Sequence, residues 1–211
     1  MEKKISKALS ATRVFFDNLN GDDEVFLTTF STRPEHRIPF TGAFESLQNN
    51  LLFTQPTGKT ALIDAVYLAL RYMQSARHAR RALLIVSDGG DNHSRYLQSE
   101  LFRAVVETDV QVYAIGIHDS PRSREEERGR YLLRRLARVS GGQHYEIRNL
   151  KKLDEIAAKL ALAMHNQYII GYRPLPNSLP GKWRRIRVRL KRWEGSEERR
   201  AYTRSGYYTP R

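Results

Sequence analysis

The sequence predicts a three-layer α/β domain followed by a short basic β extension, and three observations predict it. From residue 61 to residue 166, short apolar segments alternate with longer segments of helical period, the pattern of a parallel sheet with helices on both faces. One apolar run, Leu83 to Asn92 (LLIVSDGGDN), ends in carboxylates and glycines, as a buried strand does when it delivers a ligand loop. After residue 167 the helical period stops, and prolines and two-residue alternation replace it. These shifts divide the chain into residues 1–166, the α/β domain, and residues 167–211, the extension.

The elements follow in order. Residues 2–20 carry Ile5, Leu9, Phe16 and Leu19 on one stripe, which predicts an amphipathic helix closed by Gly21. EVFLTTFS (24–31) and RIPFT (37–41) read as strands around the turn-like TRPEH, the second at an edge because Pro39 cannot donate to a ladder. After TQPTGKT a helix runs over 61–75, with Leu62, Ala65, Val66, Ala69, Leu70 and Met73 on its apolar face. Strand 82–86, helix 96–107, strand 110–117, helix 124–139, strand 144–148 and helix 150–166 complete the domain. In the extension, Ile186, Val188 and Leu190 fall on one face of a strand, and Arg185, Arg187, Arg189 and Lys191 on the other.

Composition excludes several function classes. With 211 residues and 40% hydrophobic content the chain can bury a real core. No stretch approaches the roughly 20 apolar residues that span a bilayer, and the first residues alternate charge with apolar side chains where a secretory signal would be apolar. Nothing in these residues directs export, and they name no compartment. Zero cysteines rule out disulfides, thiolate metal sites and cysteine nucleophiles. The six histidines are scattered without metal-ligand spacing, and no serine stands in a nucleophile elbow. The chain therefore reads as non-catalytic. The net charge is +13, and residues 167–211 hold twelve Lys and Arg against three Glu, so about +9 of it lies in the extension. Such charge favours anionic partners without identifying one.

Thr60, Ser87, Asp88, Gly89 and Asp91 form the main candidate site. Hydroxyls and carboxylates from separate loops suit a hard divalent cation. The competing use of the same residues is structural, with Asp88 and Asp91 closing turns and Thr60 capping its helix. GKT (58–60) imitates the end of a phosphate loop, but Phe53 stands where that loop needs glycine. Arg185, Arg187 and Arg189 between Trp183 and Trp193 could track a phosphate backbone and stack bases. The preferred reading is a solvated outer strand of a hairpin whose apolar face packs on the domain, because no nucleic-acid motif accompanies it. The run Glu125 to Glu127 beside Arg122, Arg124, Arg128 and Arg130 reads as a helix start laced with surface ion pairs.

The order of these pieces resembles the von Willebrand factor type A domain. TGKTALIDAV is similar to that family's threonine loop, ALLIVSDGGDN to its strand-and-aspartate loop, and VQVYAIGI and LARVSGGQHYEI to its later strands. The tail segments QYIIGYRP, WRRIRVRLKR and RSGYYTP resemble the extension of the acidobacterial branch. The resemblance implies a Rossmann-like sheet, a protein-binding or adhesion role, and a metal-ion-dependent adhesion site for Mg²⁺ or Mn²⁺. Thr60 would be its second-loop hydroxyl ligand and Asp88 its third-loop acid, with Gly58, Lys59, Ser87, Gly89 and Asp91 in the surrounding ligand-binding loops. The family's Asp-x-Ser-x-Ser loop and the strand before it have no counterpart in this sequence, so the metal site is expected to be incomplete, with weak or no metal affinity. In the family's strand order that strand would lie between EVFLTTFS and ALLIVSD. Those two strands are accordingly expected either to close up or to have their slot filled. The expected partner is a protein ligand; a basic nucleic-acid-binding module is the alternative.

Overall fold

The computed structural model describes residues 10, 12–43, 47, 59–117, 124–147, 152–174, 180–191 and 200–209. Strand β1 (Val25–Phe30) pairs antiparallel with β2 (Pro34–Thr41). Helix α1 (Leu62–Tyr72) continues into a 3₁₀ turn, Met73–Ser75. Strand β3 (Arg81–Ser87), helix α2 (Gln98–Glu107), strand β4 (Val110–Ile117), helix α3 (Arg124–Ser140), strand β5 (His144–Ile147) and helix α4 (Leu153–His165) follow in alternation. β3, β4 and β5 form a parallel sheet in that order. The predicted α/β class is the observed one. The turn predicted at TRPEH is shorter than expected, because Pro34 to His36 already extend β2 opposite Phe30, Thr29 and Thr28. Among the described residues β2 pairs only with β1, as an edge strand holding Pro39 must.

The two faces of the sheet can be read along β4. Val110, Val112 and Ala114 enter one apolar cluster with Leu62 and Val66 of α1, Leu101 and Val105 of α2, and Leu132 and Leu136 of α3. Tyr113, Ile115 and Ile117 enter the other with Phe15, Phe16, and Ala157 and Leu160 of α4. This is the two-residue alternation of a strand buried on both sides. β1 obeys the same rule, with Phe26 and Phe30 against the first cluster and Val25 and Leu27 against the second. The predicted stripe at residues 2–20 is described only in part: residues 12–16 are helical, and Phe15 and Phe16 are buried.

β1 and β3 do not pair, and the hairpin and the three-stranded sheet are separate. Among the described residues, neither closure nor filling of the slot is seen. Instead a cavity of about 870 Å³ lies between the two strands, lined by residues of both, by Leu62, Ala65 and Ala69 of α1, and by Phe15 and Phe16. The strands are held apart at both ends. At the carboxyl end, Ala61 N–H donates to Ser31 O (2.8 Å) and Asn92 N–H to Thr60 O (2.9 Å), which ties the exits of β1 and β3 to one loop. At the other end, Arg77 N–H donates to Glu24 Oε1 (2.6 Å), joining the two starts. β1 and β3 therefore run in the same direction on either side of the cavity.

His165, at the end of α4, adds a second tie at that lower end. Its Nε2 lies 3.0 Å from Asp23 Oδ2, and its carbonyl accepts from Arg80 Nη1 at 3.4 Å. Burial works against the Asp23 carboxylate, yet the His165 contact and the Asn20 N–H bond hold its pKa below the ordinary 3.8. A depressed carboxyl pKa contributes stability that is complete above the unfolded value and is lost as pH falls through the folded one. Asp23→Asn is expected to cost no more than about 0.5 kcal/mol at neutral pH, since the side chain is 37% exposed and screened. Urea melts of the two proteins should converge as the pH drops below the carboxyl range.

The extension is less regular than predicted. β6 (Trp183–Arg185) and β7 (Gly206–Tyr208) form a short antiparallel pair. After Ile186 N–H donates to Ser205 O the ladder ends. Val188 and Leu190, expected on an apolar buried face, are 39% and 50% exposed, because β7 is too short to cover them. The pair is fixed to the α/β domain by Ser205 N–H donating to Val139 O and by an ion pair between Arg204 and Asp109.

Candidate functional site

The candidate site is the rim where β1 and β3 end. Thr60, Ser87 and Asp88 all line the cavity between those strands, so the residues proposed as second-loop hydroxyl and third-loop acid border the same cavity. Lys59 is exposed beside Thr60, and Gly58 lies outside the described residues. Arg185, Arg187, Arg189 and Lys191 are exposed on the separate extension. The Trp183 ring there packs edge-on to Tyr208 at 5.1 Å.

Backbone bonds make the rim one unit. Thr60 N–H donates to Asn92 Oδ1 (2.8 Å), while Thr60 O accepts from the N–H groups of Asn92 and His93 (2.9 and 3.1 Å). α1 has no side-chain cap of its own. Asp91 supplies one from the neighbouring loop: its Oδ1 accepts from Ile63 N–H at 3.0 Å and from Ser94 Oγ at 2.5 Å. Ser94 Oγ in turn accepts from Asp64 N–H (3.1 Å), and Asp64 Oδ1 accepts from the N–H groups of Arg95 and Tyr96. Free N–H groups at a helix start seek acceptors, and here the acceptors come from a segment some thirty residues away. Asp91→Ala is expected to cost about 1 kcal/mol, the usual value of a lost cap, and to speed amide exchange at Ile63.

Asp88 and Ser87 also serve the loop itself. Asp88 Oδ1 accepts from Gly90 N–H and Ser87 Oγ from Gly89 N–H, each at 3.0 Å. Gly89 has φ +82°, and a Cβ there would lie 2.4 Å from Gly129 O on α3. The loop can make this approach because both contact residues lack side chains.

The structure thus enlists residues that the sequence reading passed over: Asp64, Asn92, Ser94 and Gly129. Their signals are modest. Asn92 and Ser94 continue the polar run after β3, Asp64 sits in the first turn of α1, and a glycine inside a helix points to close packing. Arg130, expected in surface ion pairs, is 7% exposed and lies between Glu126 (3.8 Å) and Glu146 of β5 (3.7 Å). The helical period of α3 turns it toward the sheet, where β5 supplies the second carboxylate.

The donor set at the rim is small. Among the described residues, no three His, Asp or Glu side chains converge. Asp91 already accepts two hydrogen bonds, which leaves Thr60 and Asp88 as candidate ligands. Mg²⁺ takes six oxygens and usually keeps several waters, and these two residues would supply two of the six.

Residues 1–90 match the family model described as the von Willebrand factor type A domain. Among solved structures, the conserved hypothetical protein BatB from Bacteroides thetaiotaomicron is similar at 20% identity and TM-score 0.62, over 77% of this chain and 89% of that one. The von Willebrand factor type A protein from Catenulispora acidiphila is similar at 17% identity and TM-score 0.61, over 78% of this chain and 39% of that one. Proximal thread matrix protein 1 from the mussel byssus, solved with a zinc-occupied MIDAS motif, is similar at 17% identity and TM-score 0.57, over 77% and 40%. No curated protein matches the sequence significantly. The fold and the rim define an α/β protein with its candidate ligand loops at the carboxyl ends of the strands. The match over residues 1–90 and the likeness of fold to these structures both point to the von Willebrand factor type A domain as what this chain is similar to.

Proposed function

We propose that this chain is a non-catalytic protein-binding domain whose ligand face is the rim formed by residues 59–61 and 87–96, with an incomplete metal-ion-dependent adhesion site. One observation carries the reading: the reciprocal bonds between Thr60 and Asn92 fuse two loops at the strand ends into a single surface. A fused rim presents its polar groups to a partner with little ordering cost. Domains of this family commonly mediate protein interaction or adhesion, which supports the same role here. Lys59, Thr60, Ser87, Asp88 and Gly89 form the centre of the face. Any Mg²⁺ or Mn²⁺ held there would rest on Thr60 and Asp88, with ligand and water oxygens supplying the other positions.

Calorimetric titration with MgCl₂ and MnCl₂ tests the metal half of this reading. No saturation is expected below about 1 mM, the regime of weak oxygen sites; tight one-to-one binding would show that the site is complete. The partner half is tested by binding to a panel of purified proteins and to a single-stranded oligonucleotide across a salt series. Protein binding reduced by Lys59→Glu and Asp88→Ala supports the rim. Steeply salt-dependent oligonucleotide binding, abolished by alanine at Arg185, Arg187 and Arg189, would instead assign the function to the basic extension.

A further inference from the structure

The cavity between β1 and β3 has the form of a strand-shaped slot. Among the described residues each bordering strand is paired on one side only, β1 with β2 and β3 with β4, so each turns an unpaired backbone edge toward the cavity. Such edges take up an added strand readily. The slot lies within the sheet layer: α1 covers one face through Leu62, Ala65 and Ala69, while Phe15, Phe16 and Met164 cover the other. Anything placed there is buried on both faces and must be largely apolar, with a polar residue tolerated only at the end lined by Thr60, Ser87 and Asp88. It must also be extended, because only an extended chain satisfies two parallel edges together.

One segment of this chain has that chemistry and stands at the entrance. Tyr168, Ile169 and Ile170 are 91%, 81% and 74% exposed and belong to no strand or helix, an unusual setting for β-branched and aromatic side chains that favour sheets. The segment directly follows α4, whose last residue, His165, bridges Asp23 at the start of β1 and Arg80 at the start of β3. The chain therefore emerges between the lower ends of the two strands, and Ile169 already lines the cavity.

We infer that Tyr168–Arg173 (YIIGYR) docks into the slot as a strand parallel to β1 and β3, joining the hairpin and the three-stranded sheet into one. The topology allows it. α2 and α3 carry the chain from β3 to β5 across the first face, whereas α4 lies on the second and leads back. A connection that reverses both direction and face keeps the hand of its neighbours, as parallel crossovers require. The lengths agree as well: six residues match the six of β1, and Pro174 stops the ladder by lacking an N–H. From Pro174 the nine residues to Trp183 reach about 30 Å when extended, enough to return along a strand of roughly 20 Å to β6. Docking gives up the ring contact between Tyr172 and Tyr207, 6.3 Å apart here.

The absence of native cysteines makes cross-linking a clean test. Two double variants pair Leu27→Cys with Ile169→Cys or with Ile170→Cys. Neighbouring positions on a strand face opposite ways, so one of the two should meet Leu27, and adjacent strands bring Cα atoms within disulfide range. Expected on oxidation is an intramolecular disulfide in one pair, formed at the same yield when the protein is diluted tenfold. Hydrogen exchange on the unaltered full chain should show amides 168–172 slowed at least about tenfold relative to a free YIIGYR peptide. The proposal stands only if both results are seen. A cross-link that appears only in dimers assigns the slot to a second copy's strand and overturns it. So does unprotected exchange, or the absence of a disulfide in both pairs.

Discussion

Arg130→Ala is expected to lower the unfolding free energy by about 3 kcal/mol, the lower end of the range for breaking a buried ion pair. The Arg130 side chain is 9% exposed and Glu126 is 15% exposed, with Glu146 of β5 completing the group on the other side. Removing the guanidinium takes the shared cation from between two half-buried carboxylates, of which Glu146 keeps Arg134. The cost therefore comes mostly from the charges left behind, and less from the attraction that is removed. A second substitution separates these two contributions. Adding Glu126→Gln to Arg130→Ala should recover part of the stability, and a double-mutant cycle from urea melts should give a coupling of more than about 1 kcal/mol. Additive single effects would mean that Arg130 acts through Glu146 or through packing, and not through Glu126. Arg134, exposed and 3.3 Å from Glu146, should contribute much less on its own.

Gly89→Ala is the second large effect, expected at about 2–4 kcal/mol. Two costs combine. The φ of +82° places any L side chain in the left-handed region, and the added methyl would meet the Gly129 carbonyl oxygen at 2.4 Å. Gly129→Ala approaches the same contact from the helix, its Cβ reaching 2.6 Å from Asp88 O, without the backbone strain. It should therefore cost less than Gly89→Ala, and the double variant should cost less than the sum, because one separation of loop and helix relieves both clashes. Either substitution displaces Asp88 from the rim. Binding at the rim should then weaken even where thermal melting shows the domain to be folded.

Much of the fold was legible in the sequence, for reasons that individual elements make clear. β4 reads as a strand from VQVYAIGI because it is apolar on both faces, and it is buried on both faces in the structure. α1 carries a helical stripe that matches most of the residues it buries. In the extension, period alone misled. The alternation from Ile186 to Leu190 predicts a half-buried strand, but a strand needs a partner of equal length, and β7 has three residues.

The candidate site was legible in its chemistry and not in its wiring. Thr60 and Asp88 stand out as a hydroxyl after a glycine-containing loop and an acid after an apolar strand. No local pattern reveals that Asp91 caps a helix begun thirty residues earlier, or that Gly129 of α3 makes room for Gly89. Local periodicity and residue chemistry fixed the type and order of the elements, because those depend on which side chains a helix or a strand can bury. Whether β1 and β3 would meet depended on the tertiary structure alone. Their spacing is set by helices on two faces and by ties at both ends, all between residues distant in sequence.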